Sequence, residues 1–131
     1  MAASITPFLM FEGAAEEAMR DYVALFPGSA IGEVSRYAAG EAGAEGSIKK
    51  AEFTLAGQRI LCIDSPVKHA FTFTPSVSLF VECESLDEQE RAFAHLSAGG
   101  TVLMPLNNYG FSTRFGWLND RFGVSWQLNV T

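Results

Sequence analysis

Apolar and polar positions alternate regularly near the end of the chain, in the segment 111–129. Two such runs flank a tight turn, 118–123, which contains Asn119, Asp120 and Gly123. Because successive side chains of a strand point to opposite faces, this pattern predicts a β-hairpin with one apolar and one polar face. We expect the apolar face to lie in the core. The polar face, flanked by aromatic residues, is where we expect a ligand to bind.

The first half of the chain predicts a strand, a helix and three further strands. The run 5–11 is apolar and rich in strand-forming residues. In 15–26, apolar residues recur at helical spacing, and this helix is expected to stop at Pro27 and Gly28. Three more runs have the composition of strands, and they are 31–37, 48–55 and 59–64.

The same order of elements returns after a connector, 65–75. An apolar strand is predicted at 76–81, and a capping box formed by Ser85 and Glu88 predicts the start of a helix. Gly99 and Gly100 are expected to end that helix. The remaining strands are predicted at 101–106, 112–118 and 124–130.

The chain is therefore predicted to be an α+β protein built from two βαβββ modules, about 4–65 and 76–131, within a single domain, 1–131. The repeat is one of pattern: Thr6 corresponds to Ser76 and Glu12 to Glu82, each pair 70 residues apart. A helix covers one face of each sheet. The uncovered faces are expected to curl toward each other as a mixed β-sheet cleft with the helices outside.

Charge and hydropathy exclude several kinds of partner. The formal net charge is -6, and the nine basic residues are scattered, with Lys49 and Lys50 as the only adjacent pair. Nucleic-acid binding needs clustered basic residues, so no such partner is expected. No apolar run approaches the roughly 20 residues of a membrane-spanning helix, and no signal-peptide pattern opens the chain. We predict a cytoplasmic protein with no membrane partner, in which Cys62 and Cys83 are buried packing residues.

The chain resembles a known family. The paired βαβββ order, the opening ITPFLMFEGAAEEAMRDYVALFPGS and the ending GWLNDRFGVSWQLN are similar to the PhnB-like, 3-demethylubiquinone 3-methyltransferase-like branch of the vicinal oxygen chelate superfamily. That superfamily includes glyoxalase I, extradiol dioxygenases and bleomycin- and fosfomycin-resistance proteins. The resemblance covers essentially the whole chain, and D-x-F-G-V-x-W-Q is its most specific part. No Gly-rich turn joins a strand to a helix, so the methyltransferase label has no motif support and we expect no cofactor.

The resemblance also implies where a metal would bind. Metal-dependent relatives hold a divalent ion with histidine or carboxylate side chains from the first and last strand of each module. The matching positions here are Thr6, Asp64, Ser76 and Gln127, which offer one carboxylate, two hydroxyls and a neutral amide. Transition metals prefer three or four imidazole, thiolate or carboxylate ligands, so we expect no bound metal.

Two histidines and two charged strand residues remain as candidates for chemistry. His69 lies in the connector, where we expect an exposed loop residue, and it is the only imidazole considered for acid–base work. His95 is expected on the solvent side of its helix. Glu52 either has a raised pKa in an aromatic cleft and acts as a base, or is a half-exposed residue paired with Lys50 or Arg36.

Arg114 either clamps a carboxylate or phosphate through two hydrogen bonds or pairs with a local acid. No nucleophile arrangement is present, since the sequence contains no G-x-S-x-G turn and no cysteine with a matching histidine. Catalytic residues therefore stay unassigned.

Our leading hypothesis is a protein that binds a small organic molecule in the cleft between the modules without a catalytic metal. One alternative is a metal-dependent lyase, isomerase or dioxygenase with Asp64, Gln127 and Glu52 as ligands. Another is a dimeric interaction protein without cleft chemistry. We also expect a homodimer, because modules of this fold commonly pair across chains. The expected ligand-binding residues are Phe8, Met10, Glu52, Asp64, Ser78, Phe80, Arg114, Trp117 and Gln127.

Overall fold

The computed structural model describes residues 2–131 and divides the chain into two compact units between His69 and Ala70. This boundary lies inside the predicted connector. Each unit contains one strand, one helix and three further strands, which confirms the two βαβββ modules. Neither of the two helices in 2–131 has the length and hydropathy that crossing a bilayer requires.

The first unit forms a four-stranded mixed sheet in the order β1-β4-β3-β2. β1 runs parallel to β4, and the other neighbouring strands are antiparallel. Strand β1 begins at Phe8, three residues later than predicted, and Ile5 is 90% exposed. The elements are β1 (Phe8–Phe11), α1 (Ala15–Leu25), β2 (Ala30–Arg36), β3 (Ile48–Leu55) and β4 (Gln58–Asp64).

Helix α1 packs on one face of this sheet and creates the core of the unit. Its buried residues recur at helical spacing, and they are Ala15, Ala18, Met19 and Tyr22. On β3, the buried residues Ala51, Phe53 and Leu55 alternate with half-exposed ones. They therefore lie on the same face of the strand. Burial of these apolar side chains is the main favourable contribution to folding of the unit.

The start of α1 is stabilised from a distant strand. Ala14, which precedes the helix, has no side chain that could cap it. Instead Oδ1 of Asp64 accepts hydrogen bonds from the backbone N–H groups of Gly13 (2.8 Å) and Ala15 (2.9 Å), and Oδ2 accepts one from that of Ile48 (3.0 Å). A carboxylate at this end of a helix also interacts favourably with the helix dipole.

The second unit repeats this arrangement with strand order β5-β8-β7-β6. β5 runs parallel to β8, and the other neighbours are antiparallel. The predicted capping box is present in part, because Oγ of Ser85 accepts a hydrogen bond from the N–H of Glu88, whose carboxylate bonds to the N–H of Glu84. The elements are β5 (Leu79–Glu82), α2 (Leu86–Ser97), β6 (Thr101–Asn107), β7 (Arg114–Asn119) and β8 (Ser125–Val130).

The predicted hairpin is formed by β7 and β8. Trp126 and Leu128 are fully buried on the face that α2 covers, as expected for the apolar set. Asp120 organises the turn: its Oδ1 accepts from the N–H groups of Phe122 (2.9 Å) and Val124 (3.0 Å), and its Oδ2 accepts from Nε1 of Trp126 (2.9 Å). The turn and the buried tryptophan are therefore held by one carboxylate.

A glycine lets helix α2 approach the second sheet closely. A Cβ atom at Gly116 would lie 2.6 Å from Cε2 of Phe93 and 2.8 Å from Cδ2 of Leu106. We expect Gly116→Ala to lower the free energy of unfolding by about 2 kcal/mol, because overpacking forces core side chains to move. Urea denaturation followed by circular dichroism measures this change.

The control for that prediction is the same substitution in a Phe93→Leu background, where the ring atoms nearest to the added methyl group are absent. Gly116→Ala should cost less there, which a double-mutant cycle detects. An equal cost in both backgrounds would show that contact with the ring does not explain the effect.

Candidate ligand-binding faces

Each sheet has one face that its own helix covers and one that it does not, which we call the helix-free face. In the first unit, Phe8 is the strand partner of Leu61, and Leu61 is the strand partner of Glu52, so the three side chains point to the same face. Glu52 alternates with the buried Ala51 and Phe53, so this is the helix-free face. Met10 follows Phe8 by two residues and lies on the same side. The structure therefore brings three of the expected ligand-binding residues onto one face.

A groove of about 370 Å³ lies on this side of the first sheet. Within it, Glu52 Oε1 accepts a hydrogen bond from Nε of Arg59 at 2.7 Å. The residues that line it are Glu33, Val34, Ser35, Lys50, Ala51, Glu52, Arg59 and Leu61. The groove thus carries charges of both signs.

The hypothesis that Glu52 has a raised pKa is wrong. The hydrogen bond from the Arg59 guanidinium lowers the pKa of the Glu52 carboxyl instead. The ion pair of Glu52 is formed with Arg59 and not with the expected Lys50 or Arg36. Arg36 pairs with Glu16 instead. A carboxylate that is stabilised in its charged form is a weaker base.

Asp64 and Arg114 lie on the helix-covered faces rather than with the other candidates. Asp64 is 3% exposed, and its oxygens accept the three backbone hydrogen bonds described above. Nε of Arg114 donates to Oε1 of Gln89 at 2.7 Å, and Nη2 donates to the backbone oxygen of Leu86 at 2.7 Å. Both side chains therefore stabilise the contact between a helix and its sheet.

The second unit brings four expected residues together on its helix-free face. Nε1 of Trp117 donates to Oγ of Ser125 at 2.8 Å, and that oxygen lies 2.6 Å from Oγ of Ser78. Nε2 of Gln127 donates to Oγ of Ser78 at 3.2 Å. Phe80 is the strand partner of Gln127 on β5. We call Trp117, Ser125, Ser78 and Gln127 the polar row.

An aromatic cluster lies on the same face. Phe115 is its centre, with ring centroids 6.4 Å from Phe80, 6.2 Å from Tyr109 and 5.1 Å from Phe111. Phe80 and Phe111 are 58% and 64% exposed. We call these four residues the aromatic cluster. Three of its members were not predicted, although the density of aromatic residues in 109–117 was a signal for it.

Asn129 lies beside the aromatic cluster, because it is the strand partner of Phe115 on one side and of Glu82 on the other. Its Nδ2 donates to Oε1 of Glu82 at 2.9 Å. Its Oδ1 is buried and has no hydrogen-bond partner. A buried acceptor without a partner is uncommon, since the desolvation of that oxygen is not offset.

The histidines differ in their placement. His95 is exposed, as predicted. His69 is half-buried rather than exposed: its Nε2 lies 2.8 Å from Oγ of Ser65, and its backbone N–H donates to Oε2 of Glu12 at 3.4 Å. These contacts tie the connector back to the end of β1, which the sequence pattern did not indicate.

The two cysteines are free and buried, as predicted. Burial raises the pKa of Cys62 to about 12 and that of Cys83 to about 11. Because the thiolate is the reactive form, both side chains are unreactive in the folded protein at neutral pH.

The residues at the expected metal positions do not fit a metal ion. Asp64 is occupied by backbone N–H groups, Thr6 accepts from an arginine at 3.0 Å, and Ser76 bonds to a neighbouring threonine at 2.6 Å. Gln127 offers a neutral amide that already donates to Ser78. Within 2–131, no group of three or more His, Cys, Asp or Glu side chains is positioned to hold an ion. This donor set is poor for any transition metal.

Two solved structures with similar folds identify the fold class of this chain. The fosfomycin resistance protein FosX from Listeria monocytogenes aligns over 100% of this chain and 94% of its own, with a TM-score of 0.58 and 12% identity, which shows the fold alone. A PhnB protein from Bacillus cereus aligns over 98% of this chain and 99% of its own, with a TM-score of 0.95 and 54% identity. The two modules therefore form the glyoxalase-like α+β fold, which FosX also has.

Residues 3–129 match the family described as 3-demethylubiquinone-9 3-methyltransferase. The chain belongs to that family, the PhnB family, as its opening and ending segments predicted. Protein YjdN from Escherichia coli is 27% identical over 84 residues, which are 64% of this chain and 56% of that protein. The matched segment thus spans about half the length of that curated relative.

Proposed function

We propose that this protein binds a small organic molecule on the helix-free side of its sheets without a catalytic metal. The polar row of the second unit carries the proposal. Four side chains that are joined by hydrogen bonds lie next to exposed aromatic rings. This combination orients a ligand through polar groups while apolar surface is buried against it. A cleft shared by the modules stays a prediction.

The polar row is well suited to recognition because its geometry is fixed. Ser125 is 1% exposed, and its hydroxyl oxygen contacts both the Trp117 indole and the Ser78 hydroxyl. A ligand that bonds to groups already held in place loses less conformational entropy on binding than one that must order them.

The proposed activity is binding, without a chemical reaction. The family description names a methyl transfer, but the junctions between strand and helix, Glu12-Gly13-Ala14 and Cys83-Glu84-Ser85, contain a single glycine. A nucleotide cofactor is usually held by several glycines at such a junction. The donor set at the metal positions supports binding without a metal for the reason given above.

Trp117 on β7 provides the test, because Trp126 on β8 is fully buried on the other face of the same sheet and serves as an internal control. We expect benzamide, 4-methylphenol or 2-phenylethanol to change the tryptophan fluorescence of the wild-type protein saturably. The change should disappear in Trp117→Phe, whose remaining tryptophan reports that the fold is intact. A chelator such as EDTA should not alter binding.

Two results would contradict the proposal. The first is the absence of a saturable change with any of these compounds. The second is binding that EDTA abolishes and that Mn²⁺ or another divalent ion restores, which would favour a metal-dependent enzyme.

A further inference from the structure

The second unit is poor in positive charge on its helix-free face. Residues 70–131 contain six carboxylates, three arginines and no lysine. Arg114 bonds to Gln89 on the helix-covered side, Arg91 lies on α2, and Arg121 stacks on Phe122 in the turn. Within this segment, all of which the structure describes, Glu82 is the only charged side chain among the strand residues of that face.

Glu82 lies in one row with polar and aromatic groups. It is the strand partner of Asn129, which in turn is the partner of Phe115 at the centre of the aromatic cluster. Phe80 precedes Glu82 by two residues on the same face of β5. Carboxylate, amide and aromatic rings therefore lie side by side across three strands.

The unpaired oxygen of Asn129 indicates which kind of group could pair with it. Asn129 is 7% exposed, and its Nδ2 is already used by Glu82, so only Oδ1 remains without a partner. An amide oxygen only accepts hydrogen bonds. A ligand that satisfies it must bring an N–H or O–H donor.

We infer that the aromatic cluster, together with Glu82 and Asn129, binds the ammonium group of an organic amine that also carries an apolar part. The inference rests on the proposed function and names its ligand class. An ammonium group is attracted by the Glu82 carboxylate and interacts favourably with the faces of the exposed aromatic rings. It also supplies an N–H donor for Oδ1 of Asn129 once a side-chain shift uncovers that buried oxygen. A carboxylate or phosphate ligand would be repelled by Glu82.

Glu82 keeps its negative charge at neutral pH. Hydrogen bonds from the Asn129 amide, and then from the hydroxyl and N–H groups of Thr131, lower the pKa of the Glu82 carboxyl. These bonds also fix the position of the carboxylate at the edge of the aromatic cluster.

Three probes of similar shape test the inference, and they are 2-phenylethylamine, 2-phenylethanol and 3-phenylpropanoate. Their dissociation constants are measured by NMR titration at neutral pH, with the side-chain amide resonance of Asn129 as a local reporter. We expect the amine to bind about tenfold more tightly than the alcohol. The carboxylate should bind most weakly, and the Asn129 resonance should shift most with the amine.

Two charge variants make the test specific. In Glu82→Gln, the ratio of amine to alcohol affinity should fall to near one, while the affinity for the alcohol stays within about twofold of the wild-type value. Glu90→Gln removes the same charge from the exposed surface of α2, so the ratio should be unchanged. Phe111→Leu removes an exposed ring and should weaken amine binding more than alcohol binding.

Three other outcomes would contradict the inference, and each has a different consequence for the proposed function. Equal binding of all three probes, or tightest binding of the carboxylate, overturns the amine preference but leaves small-molecule binding intact. Binding of none of them overturns the inference, and the fluorescence test then decides the proposed function separately. A concentration-dependent dimer that Phe111→Leu dissociates, without probe binding, would assign the aromatic cluster to a second copy of the chain.

Discussion

Replacing Asp64 with alanine is expected to lower the free energy of unfolding by about 4 kcal/mol. The carboxylate is 3% exposed and accepts hydrogen bonds from the N–H groups of Gly13, Ala15 and Ile48. The substitution removes three hydrogen bonds to a carboxylate and leaves the buried N–H donors without this acceptor. It also removes the negative charge that interacts favourably with the N-terminal end of the α1 dipole. Urea denaturation followed by circular dichroism measures the loss.

Two further variants separate these effects. Asp64→Asn keeps the size of the side chain and one acceptor oxygen, so it should cost roughly half as much. Asp87→Ala removes an 86% exposed carboxylate from the first turn of α2, and it should change the stability by less than about 0.5 kcal/mol. If Asp64→Ala unfolded at the same urea concentration as Asp87→Ala, the hydrogen bonds of Asp64 would contribute nothing measurable to stability.

The two helix starts show what the sequence could and could not predict. Ser85 caps α2 from a position adjacent to the helix, so a local motif was enough to find it. Asp64 caps α1 from 49 residues away, and no local pattern predicts such a contact. The sequence did hold one hint: the residues Glu12, Gly13 and Ala14 before α1 include no usual capping side chain.

Side-chain parity explains which candidate residues lie together. On β7, Trp117 and Arg114 are three positions apart, so a regular strand must place them on opposite faces. The pattern alone therefore excludes a site that uses both. Glu52 and Asp64 lie on different strands, and their faces follow from the pairing of Glu52 with Leu61, which a sequence does not reveal.

The aromatic cluster was harder to predict than the strands themselves. Phe80 and Phe115 meet only because β5 pairs with β8 and β8 with β7, which brings together residues 35 positions apart. Alternation indicated that Asn129 faces the polar side of β8, and the structure confirms this. Its unpaired oxygen, in contrast, depends on the position of Glu82, so only coordinates could reveal it.

Replacing Asp120 with alanine is expected to lower the free energy of unfolding by about 4 kcal/mol, because one 5% exposed carboxylate holds both the hairpin turn and a core tryptophan. Its oxygens accept from two backbone N–H groups of the turn and from Nε1 of Trp126. Loss of the carboxylate removes this acceptor from a fully buried indole donor. Urea denaturation followed by tryptophan fluorescence measures both the stability and the environment of Trp126.

A matched variant distinguishes the two roles of Asp120. Asp120→Asn should retain the turn, because its amide oxygen still accepts from Phe122 and Val124, but its NH₂ group then faces the Trp126 indole donor. The cost should therefore be smaller, about 2 kcal/mol, and confined to the tryptophan contact. Trp126→Phe removes that donor, so in this background Asp120→Asn should become nearly neutral. If its cost were unchanged there, the bond to the indole would contribute nothing, and the turn alone would explain why a buried carboxylate occupies this position.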